Sequence, residues 1–376
     1  MLPGYATAVG TSRYRERFPK LRDADHFRRA EHVPGASELW LSSIGLGTYL
    51  GEPNSVADQG YIEAIAAGLR SGINVLDTAI NYRHQRSERN IGAVLNHLID
   101  AGELRRDEVL VCTKAGYLCF DGDLPADPRG YFQREYVESG ILDPKEVAGG
   151  MHCMTAAYLE NQIERSRRNL GLETIDLFYL HNPESQLADM PREVFRQRLK
   201  AAFVALEAQV RAGKVAYYGV ATWSAFRVPE SSRDYMDLFE LARIAQEVAG
   251  ERHHFRFIQL PFSLAMPEAY GLANQRVERE KMPILSAAAR LGIAVMGSAT
   301  LYQARLTQGL PGLVGGILGM KNDAENAIQF SRSAPGLTTS LIGMGRKEHV
   351  LANLEPAFVK PTPPQEWKKL FTRKEE

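Results

Sequence analysis

The chain has no net charge, few cysteines and no long apolar run. Its 376 residues include 45 basic and 45 acidic side chains, so the formal charge at pH 7 is zero. Such a chain has no long-range field to collect nucleic acid or an anionic membrane surface, and a small, locally recognised ligand is expected. No stretch reaches the roughly 18 to 20 apolar residues that span a bilayer, and the start does not resemble a secretory signal. We therefore expect a cytoplasmic protein with neither a nucleic-acid nor a membrane partner.

The three cysteines, Cys112, Cys119 and Cys153, form no CxxC pair and no disulfide framework. This usage agrees with a reducing compartment. His152 stands beside Cys153, but adjacent side chains in an extended segment point in opposite directions, and no second ligand pair follows at zinc spacing. The sequence therefore predicts no metal site.

Short apolar runs alternate with longer segments of helical periodicity from residue 41 onward. This alternation is typical of parallel strands joined by crossover helices. The predicted strands are 41–46, 73–78, 109–114, 175–181, 215–221, 255–260, 293–298 and 338–343, and the helical patterns include 61–70, 155–170 and 195–211. Eight strand–helix units favour a single-domain (β/α)8 barrel. A doubly wound sheet is the alternative, but the glycines at 45, 47 and 51 do not have the G-x-G-x-x-G spacing.

Two segments lie outside the alternation. Residues 1–37 are polar and rich in arginine, and we interpret them as an N-terminal extension to a barrel of residues 38–376. Residues 115–153 form a long loop insertion after the third strand, a position above the catalytic face of a barrel. The loop carries Tyr117, Phe120, Tyr131, Phe132 and Tyr136. Two interpretations stay open: a substrate lid, or a surface insertion with its own small hydrophobic cluster.

Polar residues follow or end several predicted strands. Asp77 and Tyr82 belong to the second strand and its loop, Lys114 ends the third, and His181 ends the fourth. In a barrel these strand ends converge on one mouth. An ammonium such as Lys114 stabilises a phenolate and lowers the pKa of a tyrosine. The pattern predicts proton transfer by Tyr82, with Asp77 holding Lys114 and His181 donating to a carbonyl oxygen.

Four local motifs resemble those of the aldo-keto reductase family. They are residues 47–49, residues 74–79 with Tyr82, residues 113–114 and residues 175–181, and the resemblance extends from about residue 38 to 356. It implies a (β/α)8 barrel, a nicotinamide cofactor bound without a Rossmann domain, and a catalytic tetrad of Asp77, Tyr82, Lys114 and His181.

The same resemblance implies a set of cofactor contacts, although two segments depart from the family pattern. Ala221-Thr222 stands where a Ser-Asn pair is usual, and Gly297 where an aromatic ring commonly stacks on the nicotinamide. Thr222 and Trp223 are possible substitutes. Arg346 is suited to a 2′-phosphate, because a guanidinium makes two parallel hydrogen bonds to such a group, so NADP is favoured over NAD. The predicted cofactor contacts are Gly47, Thr48, Asp77, Thr222, Gln259, Ser298, Ala299, Leu301, Ile342, Gly343, Gly345, Arg346 and Asn353.

We expect an NAD(P)H-dependent oxidoreductase that reduces an aldehyde or ketone to an alcohol, or catalyses the reverse. Its partner is a small-molecule carbonyl or alcohol, and the oligomeric state is left open. The predicted substrate contacts are Tyr49, Tyr117, Asn182 and Trp223, and the loop aromatics hint at a bulky apolar or aromatic substrate. The alternatives are a Schiff-base aldolase using Lys114, a cofactor-sensing regulatory subunit of the same fold, and a redox-neutral isomerase or lyase.

Overall fold

The computed structural model describes residues 1–372 and contains eight parallel strands in a closed barrel. The last strand pairs with the first, so the sheet has no free edge. This confirms the predicted (β/α)8 barrel and excludes the doubly wound sheet, which would have two open edges. The strands are β1 (Ile44–Gly47), β2 (Val75–Asp77), β3 (Leu110–Ala115), β4 (Ile175–His181), β5 (Val215–Ala221), β6 (Phe255–Pro261), β7 (Ala294–Ser298) and β8 (Thr339–Gly343).

One principal helix follows each strand. Asn54 caps the first of these helices by accepting a hydrogen bond from the Ala57 amide, so this helix begins several residues before the predicted start at residue 61. Gly171 ends the third in the left-handed conformation, with φ of 68°, as its position predicts. The helices are α1 (Ser55–Arg70), α2 (Arg86–Asp100), α3 (Ala156–Leu170), α4 (Arg192–Arg211), α5 (Leu238–Ala249), α6 (Ile284–Arg290), α7 (Asp323–Arg332) and α8 (Lys347–Leu354).

Shorter helices and two short antiparallel strand pairs lie outside the eight strand–helix units. The short α-helices are Ala8–Glu16, Pro19–Asp23, Pro128–Phe132, Glu268–Gly271, Gly312–Leu318 and Pro364–Trp367. Phe27–Arg28 pairs with Leu41–Ser42, and Gln275–Val277 with Glu280–Met282. Gln133–Val137 is a short π-helix. The short 3-10 helices are Arg106–Glu108, Pro144–Glu146, Pro183–Ala188, Gly250–Arg252, Glu355–Phe358 and Lys368–Phe371. Across residues 1–372, no helix combines the length and the apolar character needed to cross a membrane.

Strand alternation decides which side chains fill the barrel. Successive residues of a strand point to opposite faces, so every second residue faces the interior. The buried interior cluster includes Val75, Leu110, Cys112, Leu177, Tyr179, Phe257, Ala294, Met296 and Leu341. Two residues further along four of these strands stand Asp77, Lys114, His181 and Gln259. The same alternation that builds the core therefore directs four polar side chains to the carboxyl end of the barrel.

The N-terminal segment closes the opposite end. Ala30, Val33, Ala36 and Leu39 are buried in the same cluster as the interior side chains. The amide of Ala6 donates to Asp176 Oδ1 at 2.5 Å, at the start of β4. Residues 41–42 of the predicted first strand pair with this segment instead of with the barrel. The amino-terminal end of the barrel is thus sealed by the chain itself.

The long loop after β3 has a small core of its own. Tyr136 is fully buried, and Tyr131 and Phe132 pack around it. Tyr136 also contacts Tyr158 of α3, with ring centroids 5.9 Å apart. These rings therefore stabilise the loop against α3, the arrangement expected of an insertion with its own hydrophobic cluster.

Candidate active site

Asp77, Lys114 and Gln259 form a hydrogen-bonded group at the mouth of the barrel. The Nζ of Lys114 donates to Asp77 Oδ2 at 2.8 Å and to the carbonyl oxygen of Thr78 at 2.8 Å. Gln259 Nε2 donates to Asp77 Oδ1 at 2.7 Å. Both oxygens of Asp77 are engaged, and the side chain of Lys114 is fully buried. The carboxylate therefore fixes the ammonium in one position.

Tyr82 lies directly beside this group. Its ring centroid is 5.0 Å from Lys114 Nζ, 5.7 Å from the ring of His181 and 5.0 Å from the ring of Tyr49. The structure thus brings together the four residues expected to form the tetrad, although they come from three strands and one loop.

Burial is the largest single influence on the pKa values of Tyr82, Lys114 and His181. It raises the pKa of Tyr82 above its usual value, and Lys114 opposes that effect only in part. Burial also works to lower the pKa of Lys114, but the charges of Asp77 and Tyr82 reverse this effect, so the pKa of Lys114 is raised. The pKa of His181 lies well below its ordinary range because of burial and the nearby Lys114 charge. At neutral pH the site therefore holds a protonated tyrosine, a charged lysine and a neutral histidine.

A strained turn follows Tyr82. Residues 83–85 have φ values of 50°, 55° and 71°, in the left-handed region that non-glycine residues seldom adopt. Two contacts hold this turn. Arg83 donates to Asp58 Oδ1 at 2.6 Å, and Gln85 Nε2 donates to the Phe120 carbonyl at 3.0 Å. Such a conformation persists only where surrounding contacts determine it, so this turn fixes the position of Tyr82.

His152 stabilises the end of β4 through hydrogen bonds. Its Nε2 donates to the carbonyl oxygen of His181 at 2.7 Å, and its Nδ1 accepts from Gln186 Nε2 at 3.0 Å. Burial lowers the pKa of His152 to about 4, which leaves the ring neutral and able to make both bonds. Sequence reasoning considered this histidine only as a metal ligand. Among residues 1–372 there is no group of three His, Cys, Asp or Glu residues suited to a metal ion.

The predicted cofactor contacts on β1, β5 and β6 lie beside the tetrad. Thr48 is buried, and its hydroxyl donates to the Asp77 carbonyl at 3.2 Å. Thr222 is 4% exposed, its amide donates to the Gln259 carbonyl at 2.8 Å, and its hydroxyl has no partner. A buried hydroxyl beside a carboxamide suits the amide group of a nicotinamide ring. Gly47 is buried next to the backbone of Ile342.

The remaining predicted cofactor contacts follow β7 and β8. Ser298, Ala299, Leu301, Gly345 and Asn353 are partly buried, whereas Gly343 and Arg346 are exposed. The side chain of Ile342 belongs to the core beneath the helices, so only its main chain could face a ligand. Arg346 precedes the first turn of α8.

The structure supplies a reason for glycine at position 297. A Cβ atom there would lie 3.1 Å from a methyl carbon of Leu337 and 3.4 Å from the Cβ of Phe262. Strand alternation directs this position outward, toward the helices. A larger side chain at 297 would therefore have to displace Leu337.

A cleft of about 370 Å³ lies between the loops that follow β4 and β5, and its lining does not include any residue of the tetrad. Three of the four predicted substrate contacts, Tyr117, Asn182 and Trp223, line it. The fourth, Tyr49, lies against Tyr82 and is 58% exposed. Asn182 Nδ2 donates to the Tyr117 hydroxyl at 3.2 Å, and this hydroxyl lies 3.1 Å from Ser185 Oγ.

Glu184 also lines this cleft, and sequence reasoning did not select it. It is 5% exposed. Burial raises its pKa to about 7. The sequence indicated a role for Glu184 only through its position three residues after His181, in a segment with the composition of an ordinary loop.

The family model described as "Aldo/keto reductase family" matches residues 43–309, well over half of the chain. The chain belongs to the aldo/keto reductase family. Among curated members, L-glyceraldehyde 3-phosphate reductase of Escherichia coli K12 is 26% identical over 277 residues, which is 73% of this chain and 62% of that protein. D-threo-aldose 1-dehydrogenase of a Pseudomonas species is 28% identical over 215 residues, which is 56% of this chain and 60% of that protein. The matches thus span about six-tenths of these relatives.

Solved aldo/keto reductase structures share the fold over nearly the whole chain. The glycerol dehydrogenase of Gluconobacter oxydans superposes with a TM-score of 0.63 at 18% identity, covering 93% of this chain and 94% of that one. An aldo/keto reductase of Klebsiella pneumoniae, solved with NADP and acetate, gives a TM-score of 0.59 at 20% identity, covering 90% and 93%. At this level of identity the likeness establishes the (β/α)8 architecture.

Proposed function

We propose that this protein is an NAD(P)-dependent oxidoreductase that reduces an aldehyde or ketone to an alcohol, or catalyses the reverse reaction. The observation that carries the proposal is the arrangement of Asp77, Tyr82, Lys114 and His181 around one mouth. Family membership and the names of the two curated relatives, a reductase and a dehydrogenase, support the same reaction class. A cytoplasmic location stays a prediction.

In this proposal Tyr82 donates the proton. Burial keeps its hydroxyl protonated at neutral pH, and Lys114 lies close enough to stabilise the phenolate that remains after the transfer. Asp77 holds Lys114 in place, and the neutral His181 donates one N–H to the oxygen on which negative charge develops. A nicotinamide dinucleotide, when bound, supplies or accepts the hydride.

Residues that suit this cofactor surround the mouth. Thr222, with its unpartnered hydroxyl, and Gln259 would hold the carboxamide of the nicotinamide. The backbone of the segments after β7 and β8 would hold the phosphates, from Ser298, Ala299 and Leu301 to Gly343 and Gly345. Arg346, with Asn353 nearby on α8, would bind a 2′-phosphate, which favours NADP over NAD. The Klebsiella pneumoniae neighbour, solved with NADP, agrees with this preference.

The test measures the loss of absorbance near 340 nm when the protein is mixed with NADPH or NADH and a panel of aldehydes and ketones. We expect turnover with at least one carbonyl, and a loss of about 100-fold or more in Tyr82→Phe with little change in cofactor affinity. Tyr131→Phe is the matched control, because its hydroxyl has no partner and lies in the separate loop cluster. Equal activity in wild type and Tyr82→Phe would refute the assignment.

The same experiment separates the alternatives. NADPH binding without turnover of any carbonyl would favour a cofactor-sensing subunit or a redox-neutral enzyme. Trapping of a substrate on Lys114 by borohydride would favour the Schiff-base chemistry. The ion pair of Lys114 with Asp77 argues against that chemistry, because a Schiff-base lysine must lose its proton.

A further inference from the structure

The ring of His181 is not held by a hydrogen bond to its Nδ1 atom. This nitrogen is buried and has no hydrogen-bond partner among residues 1–372. The orientation of a histidine that acts in proton transfer is often set by a bond to its second nitrogen. Because His181 makes no such bond within this part of the chain, the position of its imidazole depends on its main chain and on the rings of Tyr82 and Tyr117 that pack against it.

His152 holds the main chain of His181. The Nε2 atom of His152 lies 2.7 Å from the His181 carbonyl oxygen, and because a carbonyl only accepts, Nε2 must carry the hydrogen. The Nδ1 atom of the neutral ring then accepts, and it lies 3.0 Å from Nε2 of Gln186. Arg198 donates to Oε1 of Gln186 at 3.2 Å, which independently directs the NH2 group of Gln186 toward His152. A chain of hydrogen bonds with a single direction therefore runs from Arg198 on α4 to His181.

Gly116 leaves room for the bond between His152 and His181. A Cβ atom on this glycine would lie 2.5 Å from His152 Nε2 and 2.6 Å from the His181 carbonyl oxygen, closer than real Cβ atoms approach other heavy atoms. The carbonyl oxygen of Gly116 accepts from the Cys153 amide at 2.8 Å, so the two ends of the long loop meet here. The start of the loop is therefore shaped to let a side chain from its end reach β4.

The peptide that His152 binds leads into a strained residue. Asn182 has φ of 46°, a left-handed conformation that persists only where surrounding contacts determine it. The amide of Asn182 donates to the Ala221 carbonyl at 2.6 Å, and the carbonyl of the same peptide, that of His181, accepts from His152. These two hydrogen bonds fix the peptide plane from opposite sides. They therefore also fix the direction in which the side chain of His181 leaves the main chain.

We propose that His152 is a positioning residue for the reduction, which holds the His181 peptide and thereby directs the His181 imidazole at the substrate oxygen. This inference rests on the proposed reductase function. Misplacing a catalytic group by about 1 Å can lower a reaction rate about 100-fold. The side chain of His152 bonds to His181 and Gln186, and neither is a predicted cofactor contact. Its loss should therefore lower the rate of the reaction and leave cofactor binding unchanged.

Two substitutions at position 152 test this role, with carbonyl reduction by NADPH followed near 340 nm. Leucine can make neither hydrogen bond of His152, whereas glutamine keeps one donor and one acceptor. Each rate is divided by the number of NADPH-binding sites titrated in the same sample, so unfolded protein does not count. We expect kcat per site to fall about tenfold or more in His152→Leu, with KM for NADPH within about twofold of the wild-type value. His152→Gln should recover most of the lost rate.

His26→Leu is the matched control. His26 is also buried and bonds through both ring nitrogens, to the Ser43 hydroxyl at 3.0 Å and to the Gly72 carbonyl oxygen at 3.2 Å. These partners precede β1 and β2, at the amino-terminal end of the barrel. The control therefore removes the same kind of buried side chain far from the tetrad, and its kcat per site should equal that of the wild type.

A second comparison introduces His152→Leu into a His181→Ala background, with single turnovers measured so that slow rates are accessible. If His152 acts through His181, its substitution should have little further effect in this background, whereas independent effects would multiply. An unchanged kcat per site in His152→Leu, an equal loss in His26→Leu, or a full loss in the His181→Ala background would each overturn this inference. A wild-type protein that reduces no carbonyl would instead refute the proposed function, and this inference with it.

Discussion

The buried carboxyl of Glu184 makes a quantitative prediction about stability. An ordinary glutamate has a pKa of 4.5, and burial raises that of Glu184 to about 7. Between these values the folded chain keeps the proton that the unfolded chain releases, so the free energy of unfolding falls as pH rises. Each pH unit is worth about 1.4 kcal/mol, which gives a penalty of about 3 kcal/mol that is complete above pH 7.

Glu184→Gln should remove this penalty, because the amide resembles the protonated acid and does not ionise. Relative to wild type, the variant should gain about 3 kcal/mol of unfolding free energy between about pH 4.5 and about pH 7.5. Urea unfolding at several pH values across this window measures the gain, and the comparison between pH values cancels any constant effect of the substitution. A difference between the two proteins that stays the same at every pH would refute the burial of an ionising carboxyl at this position.

Three further substitutions have definite expected outcomes. Lys114→Met should lower kcat by about 100-fold or more in steady-state assays, because Tyr82 loses the charge that stabilises its phenolate. It should also lower the free energy of unfolding by about 3–5 kcal/mol, because Asp77 loses its buried cation. Near-normal turnover would contradict the role of Lys114 in proton transfer. Arg346→Ala should raise KM for NADPH about tenfold and leave that for NADH unchanged, as measured by absorbance near 340 nm; equal effects on both would argue against a 2′-phosphate contact. Asp176→Asn should lower the free energy of unfolding by about 3 kcal/mol, because it weakens the buried ion pair with Arg106. It should also speed limited proteolysis of residues 1–37, because the Asp176 carboxylate accepts a hydrogen bond from the Ala6 amide in that segment. An unchanged cleavage rate would contradict this role of Asp176.

The barrel, and the grouping of Asp77, Tyr82, Lys114 and His181 at one end of it, could be predicted because both follow from local sequence. Alternate residues of a strand face the interior of the barrel. Once the strands were identified, Asp77, Lys114 and His181 were therefore expected to lie together at its carboxyl end. The protonation of Tyr82 could not be predicted in this way. The charge of Lys114 was evident, but the opposing effect of burial depends on the whole set of surrounding loops.

Glu184 and His152 show a second limit of local patterns. Each makes its contacts with a segment distant in sequence, Glu184 with the loop after β5 and His152 with the end of β4. Nothing in the residues next to them indicates those contacts. The glycine at 297 is similar, since the side chain that crowds it, Leu337, lies forty residues further along the chain.

The sealed floor has a kinetic consequence. Because Ala30, Val33, Ala36 and Leu39 are buried with the interior side chains at the amino-terminal end of the barrel, a molecule can approach Lys114 only from the carboxyl end. Changes in the loops that follow the strands should therefore alter the rate at which ligands enter and leave, whereas changes on the floor should alter only the stability of the fold.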